Sequence, residues 1–114
     1  IMIRLRIFFG RKQRLTKKSE FDALYTQGIK RTVGPLLVHS SKNGLEFSRL
    51  GLSVPKRVGN AVVRNRIRRL CREAFRKNQH AFKEGVDVLL TIRPHKPLTL
   101  AEYEELLLSG VNHE

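Results

Sequence analysis

Thirteen residues, RNRIRRLCREAFR from Arg64 to Arg76, carry six arginines and a single acid. A guanidinium is planar, permanently charged and rich in donors, so it suits phosphate oxygens and can stack on unpaired bases. The chemistry this run offers is therefore the binding of a polyanion. It has a cost, because like charges three and four apart on a helix repel by about 0.2–0.5 kcal/mol per pair. A charged partner, or packing of the helix on its other side, must offset that. At about 100° per residue, Val63, Ile67, Leu70 and Ala74 share one side, with Cys71 and Phe75 on its shoulder. Asn65, Arg68, Arg69, Arg72 and Arg76 fall opposite, with Arg64 and Arg66 at the boundaries. A merely solvated face would mix signs, yet Glu73 is the only acid between Pro55 and Glu84, and Lys56 and Arg57 extend the basic run upstream.

Other chemistries are poorly provided for. A metal-dependent phosphodiesterase needs several converging carboxylates. Glu20 and Asp22, Glu46, and Asp87 fall on different elements, and strand entry is the expected role for Asp87 rather than cation binding. His39, His80, His95 and His113 lack ligand spacing, and the lone Cys71 cannot build a zinc site. The expectation is no catalytic residue and no metal site in the protein itself, with Cys71 a small core residue. One cysteine also excludes an internal disulfide framework and suits a reducing cytoplasm.

The 114 residues carry a formal charge of +13, and four of the ten acids sit in the last thirteen positions. The body is thus more basic than the average, which points to nucleic acid. No apolar run approaches membrane-spanning length, so no membrane partner is expected. The opening IMIRLRIFFG is interrupted by Arg4 and Arg6 and lacks a small-residue cleavage site. Residues 1–13 read as a flexible or loosely docked basic arm, with an additional strand or an RNA-touching tail as the alternatives, and 14–114 as one domain.

The elements that must position these groups follow from periodicity. RKQRLTKKSEFDALYTQG reads as a basic lead-in and then a short helix, capped by Thr16 or Ser19 and stopped by Gly28, with Phe21, Leu24 and Tyr25 on one face. From Val33 to Pro55 the period shifts towards two. PLLVHSS and LEFSRLGLSVP, separated by Asn43-Gly44, read as a hairpin, with a short edge strand over Gly28–Val33. Asn60 to about Asn78 is the long helix. VDVLLTI reads as a buried strand ended by Pro94, and Thr99 caps a final acidic helix holding Leu100, Tyr103, Leu106 and Leu107. The order predicts helices packed on a small sheet. A DNA-reading helix-turn-helix would need a helix where GLSV and Pro55 stand, so DNA is not the expected partner.

GLSVPKRVGNAVVRNRIRRLCREAF, Gly51 to Phe75, closely resembles the signature of the bacterial ribonuclease P protein subunit. RLTKKSEFDALYTQG resembles that family's first helix and VDVLLTIRP its last strand, so the likeness spans about Arg14 to Leu108. It implies an α+β fold: a two-layer α-β sandwich whose small mixed sheet carries the basic helix in a left-handed β-α-β crossover, like the second domain of a small-subunit ribosomal protein. The usual crossover is right-handed. It also implies removal of the 5′ leader from precursor tRNA, with the chemistry performed by a catalytic RNA that requires magnesium. By position, Lys56, Arg57, Asn60, Arg64, Asn65, Arg66, Arg68, Arg69 and Arg72 match the basic motif that binds the RNA subunit. Phe21 and Tyr25 match the aromatics of a leader-binding cleft, and Leu37, His39 and Ser53 its sheet side. Two departures stand out: His39 where an aromatic is common, and Tyr25 in place of phenylalanine. Either can still stack on a base, which implies an altered base preference. Two rival readings are a ribosomal or chaperone-like RNA-binding module and a protein-only ribonuclease.

Overall fold

The computed structural model describes residues 10–82 and 84–111. Helix α1 covers Lys18–Gln27, and strands β1 (Ile29–Val33), β2 (Leu36–Lys42) and β3 (Arg49–Ser53) follow. Helix α2 is Ala61–Asn78, strand β4 is Val86–Ile92 and helix α3 is Leu100–Val111. The strands form one sheet in the order β1-β2-β4-β3, in which β4 runs antiparallel to β2 and parallel to β3. The helix α2 is thus the connection of a β-α-β unit whose two strands are neighbours.

This order corrects the expected hairpin. Asn43-Gly44 does turn the chain: Gly44 has φ +72°, and Asn43 Oδ1 accepts from Leu45 N at 2.8 Å. Its flanking strands nevertheless do not pair, because β4 lies between them. Val88, Leu89 and Leu90 are all buried, so β4 is covered on both faces and takes the sheet's interior, where both its edges find partners. The hairpin instead joins β1 to β2 through Gly34-Pro35, with Gly34 at φ +57° and Val33 opposite Leu36.

Alternation divides the sheet into two faces. Leu36, Val38, Leu50, Val88, Leu90 and Ile92 point towards α2 and α3 and join Ile67, Cys71, Ala74, Phe75, Tyr103 and Leu107 in one core. Cys71 is 1% exposed, and burial pushes its thiol up to about 12. Gly110 lets α3 press on β2, since a Cβ there would lie 2.7 Å from Val38 Cγ2. Thr99 caps α3 as expected, its Oγ1 accepting from Glu102 N while Glu102 accepts from Thr99 N.

The other face receives α1. Its apolar cluster is small: Leu15, Leu24 and Leu89, with Phe21 against them. Neither Thr16 nor Ser19 caps α1. The N-cap is Lys17, whose N–H donates to Glu20 Oε1 at 3.3 Å, and Gly28 ends the helix as expected. Residues 1–9 of the expected basic arm lie outside the described residues. Its last three, Arg11–Gln13, form a 3-10 turn on the body of the fold, with Gln13 buried and its Nε2 donating to Ser48 O at 3.0 Å.

Candidate nucleic-acid interface

The wheel drawn for α2 is realised. Ile67, Cys71, Ala74 and Phe75 are buried, while Asn65, Arg66, Arg69 and Arg72 are exposed and Arg64 and Arg68 half-exposed. Asn60 accepts from Val63 N at 2.9 Å, so the residue matched to the basic motif also caps the helix that carries it. Arg64 is steered by donating Nε to Gly59 O at 3.0 Å, and Arg68 by donating to Asn65 Oδ1 at 2.8 Å. Lys56 and Arg57 are exposed on the 3-10 turn just before α2. Arg76 is different, since it is engaged by Glu73 one turn back. The exposed and half-exposed guanidiniums therefore give the outward side of α2 a cationic surface.

Arg14 joins that surface although it lies far upstream of the helix in sequence. It bridges to Leu50 at the free edge of β3, next to Leu15, whose N–H donates to Leu50 O at 2.9 Å. There it borders a groove of about 240 Å³ with Thr16, Phe21, Leu52, Arg68 and Arg72. Partial desolvation, then the Arg14 and Arg68 charges, lower the pKa of Arg72. Crowding cations in this way favours an anion between them. No local pattern marks Arg14 for this place, because only the pairing of distant segments puts it there.

The aromatic cleft lies on the α1 face of the sheet. Registered rows run Leu37–Thr91–Ser53 and His39–Leu89–Gly51. Gly51 makes room for α1: a Cβ there would lie 3.0 Å from Phe21 Cε1 and 3.1 Å from Leu15 Cβ. Phe21 is accordingly half-buried and serves the small cluster. Tyr25, one turn on, is 44% exposed, and its hydroxyl lies 3.5 Å from Thr91 Oγ1. Thr91 was not among the expected site residues. Its place depends on β4 being central, which the hairpin reading obscured.

His39 does not offer its ring to solvent. It is 4% exposed and lies beneath Tyr25, ring centroids 4.9 Å apart at 82°. The exposed ring on this face is therefore Tyr25, with His39 as its floor. Burial first, and the Lys30 charge second, lower the imidazole pKa below its ordinary 6.5, and its Nδ1 has no hydrogen-bond partner among the described residues.

Asp87 is saturated by protein groups. Arg49 donates to both its oxygens, at 2.8 and 2.7 Å, and Asn43 donates to Oδ1 at 2.8 Å. Among the described residues no three His, Cys, Asp or Glu side chains converge on a point that could hold a metal ion. A larger cavity of about 880 Å³ lies at the other end of β3, but Glu46 and Glu84 in its wall outnumber Lys12 and make it unsuited to phosphate. No helix among the described residues is long and apolar enough to cross a membrane.

Comparison with known proteins places this geometry. The family model for ribonuclease P matches residues 9–112. The ribonuclease P protein component of Alkaliphilus metalliredigens is 36% identical over 96 residues, covering 83% of this chain and 86% of that protein. That of Clostridioides difficile is 40% identical over 86 residues, 75% of each. Among solved structures, the ribonuclease P protein of Thermotoga maritima superposes with a TM-score of 0.76 at 28% identity, covering 89% of this chain and 96% of that one. The Staphylococcus aureus protein gives 0.75 at 30% identity, covering 89% and 94%. The chain belongs to the ribonuclease P protein family, as the protein subunit of the endoribonuclease that matures the 5′ ends of tRNA.

Proposed function

We propose that the chain binds the catalytic RNA of ribonuclease P through the α2 surface and the 5′ leader of precursor tRNA through the Tyr25 cleft. Lys56, Arg57, Arg64, Arg66, Arg68, Arg69 and Arg72 neutralise phosphates of the RNA subunit, while Asn60 and Asn65 hold the helix start and Arg68 in place. Tyr25 stacks on an unpaired leader base. Thr91, Leu37 and Ser53 line the sheet beyond it, and Phe21 and His39 support it from below. The observation that carries this reading is the separation of the two surfaces. A half-exposed aromatic ring stands over the sheet on one face, while the arginines lie on a helix packed against the other.

On this reading the protein moves no proton and breaks no bond. Magnesium, where the reaction requires it, is held by RNA phosphates, and the protein's part is to bring two RNAs together and position the leader. The chain works with its RNA in the cytoplasm, away from DNA and membranes. The test is cleavage of precursor tRNA by rigorously RNA-free protein, by catalytic RNA alone at low magnesium, and by the two together. Leader removal is expected only on mixing. Robust magnesium-dependent cleavage by the RNA-free protein would overturn the reading.

A further inference from the structure

Helix α1 carries the Tyr25 ring, yet little apolar contact holds it down. Among the described residues only Leu24 of α1 is fully buried, with Phe21 half-buried beside it. Lys18, Ser19, Asp22, Ala23, Thr26 and Gln27 all face solvent. An element with so few buried contacts sits at the low-stability end of a fold. A polar tether supplements them at its first turn. Arg49 and Asp87 are registered neighbours on parallel β3 and β4, so their side chains share the α1 face. Arg49 spends Nε and Nη2 on Asp87 and extends Nη1 to Glu20 Oε2 on α1, at 3.3 Å. Glu20 uses its other oxygen on Lys17 N, the cap of the same helix. One carboxylate thus closes the start of α1 and links it to the sheet. Arg49, Glu20 and Asp87 are each less than a third exposed at the side chain, which shields the group from solvent screening.

We infer that Arg49 is a positioning residue for the leader: clamped by Asp87, it holds Glu20 and so fixes the height of α1, and with it Tyr25, over the sheet. The inference rests on the leader-binding reading above and adds a residue that touches no RNA. The mechanism is lever-like. Glu20 precedes Phe21, whose ring lies on the bare backbone of Gly51, and Tyr25 follows one turn later above His39 and Thr91. Releasing Glu20 lets the helix tilt about its Leu24 contact and widens the spread of Tyr25 positions. Binding then loses the preorganisation that a fixed ring provides.

Arg49→Ala would strand the Asp87 carboxylate and threaten the fold, so the informative variant is Glu20→Gln, which leaves the Arg49–Asp87 pair intact. Two measurements are made on it. In the free protein, amide hydrogen exchange over residues 18–27 is expected to quicken while residues 61–78 keep their protection. In the reconstituted holoenzyme, the preference for precursor over mature tRNA is expected to fall about two- to fivefold, the range an ion pair of this exposure supports. Affinity for mature tRNA stays unchanged. Adding Glu20→Gln to Tyr25→Ala is expected to reduce the preference no further, since both act through one ring. Unchanged exchange in α1, or additive losses in the double variant, would overturn the inference. If Tyr25→Ala alone leaves the preference intact, the leader reading fails. If Tyr25→Ala lowers it and Glu20→Gln does not, the tether alone fails.

Discussion

The two faces of the sheet are built to different standards. On the α2–α3 face, Leu36, Val38, Ile67, Phe75, Val88, Ile92, Tyr103 and Leu107 are at most 1% exposed and form one continuous apolar layer. On the α1 face three buried leucines and a half-buried Phe21 share the work with an ionic group, and the sheet beyond Tyr25 is left uncovered. The first face offers nothing to a ligand and supplies the stability. The second gives up burial to keep a groove open. The basic surface of α2 is available to RNA because the helix's opposite side belongs to the strong face. Charge repulsion among its arginines is offset by the packing of its buried side.

The harshest way to break this division is to charge the strong face. Ile67 is 0% exposed, and an aspartate there has no partner to satisfy it. Ile67→Asp is expected to cost more than ~4 kcal/mol, enough to unfold a domain of ordinary stability. Arg68→Ala, one residue on, is expected to leave the melting temperature nearly unchanged. Equal melting points for the two variants would show that the two sides of α2 do not differ as described.

On the weak face the same kind of truncation should alter binding rather than folding. Tyr25→Ala is expected to weaken holoenzyme binding of leader-bearing tRNA by about 1–3 kcal/mol, the usual range for one stacked base. Mature tRNA should bind as before and the melting temperature should hardly move, because the ring is 44% exposed. A large fall in melting temperature would make Tyr25 a core residue. Equal weakening for both RNAs would remove it from the leader site.

The contrast between faces also accounts for what the sequence made legible. Helical periodicity needs only neighbours in the chain, so α2, its buried side and its cationic side could be read directly. Capping is local too but less decisive: Thr99 caps α3 as its type and position suggest, whereas α1 starts from Lys17 rather than from Thr16 or Ser19. Pairing order is not local. Asn43-Gly44 is a sound turn signal, but whether its flanking strands meet depends on β4, far later in the chain, competing for the same edges. The same limit governs the candidate site. Thr91 and Arg14 reach it only through neighbours distant in sequence. Alternation puts His39 on the α1 face, but a period of two cannot show that Tyr25 covers it.

Salt provides a subtler test of the cationic side. If Arg68 and Arg72 neutralise phosphates, alanine at either should reduce the magnitude of the log–log salt slope for RNA-subunit binding by about one unit or less. Arg76 provides the contrast within one helix. Glu73 accepts from its Nε at 3.0 Å and neutralises it locally, so Arg76→Ala should change the slope less. An unchanged slope in Arg68→Ala and Arg72→Ala would reduce the surface to a solvated face.

The smallest expected effect comes from His39, and it tests how firmly the weak face is closed. In the unfolded chain this imidazole takes up a proton around its ordinary 6.5. In the folded chain, burial and Lys30 hold its pKa lower. Between those two values the unfolded state binds more protons than the folded one, so the histidine's contribution is whole above 6.5 and declines as pH falls through the window. Denaturant unfolding at pH 7.5 and pH 5.5 is therefore expected to show the parent protein losing more stability on acidification than His39→Phe, which cannot titrate. The size of the loss depends on Tyr25, whose ring lies edge-on to the imidazole at 4.9 Å. Removing that cover in Tyr25→Ala should hydrate His39, return its pKa towards 6.5 and shrink the difference, which a histidine NMR titration would follow directly. If His39 titrates alike with and without the tyrosine, the ring does not seal the floor of the cleft, and the α1 face is more open than its contacts imply.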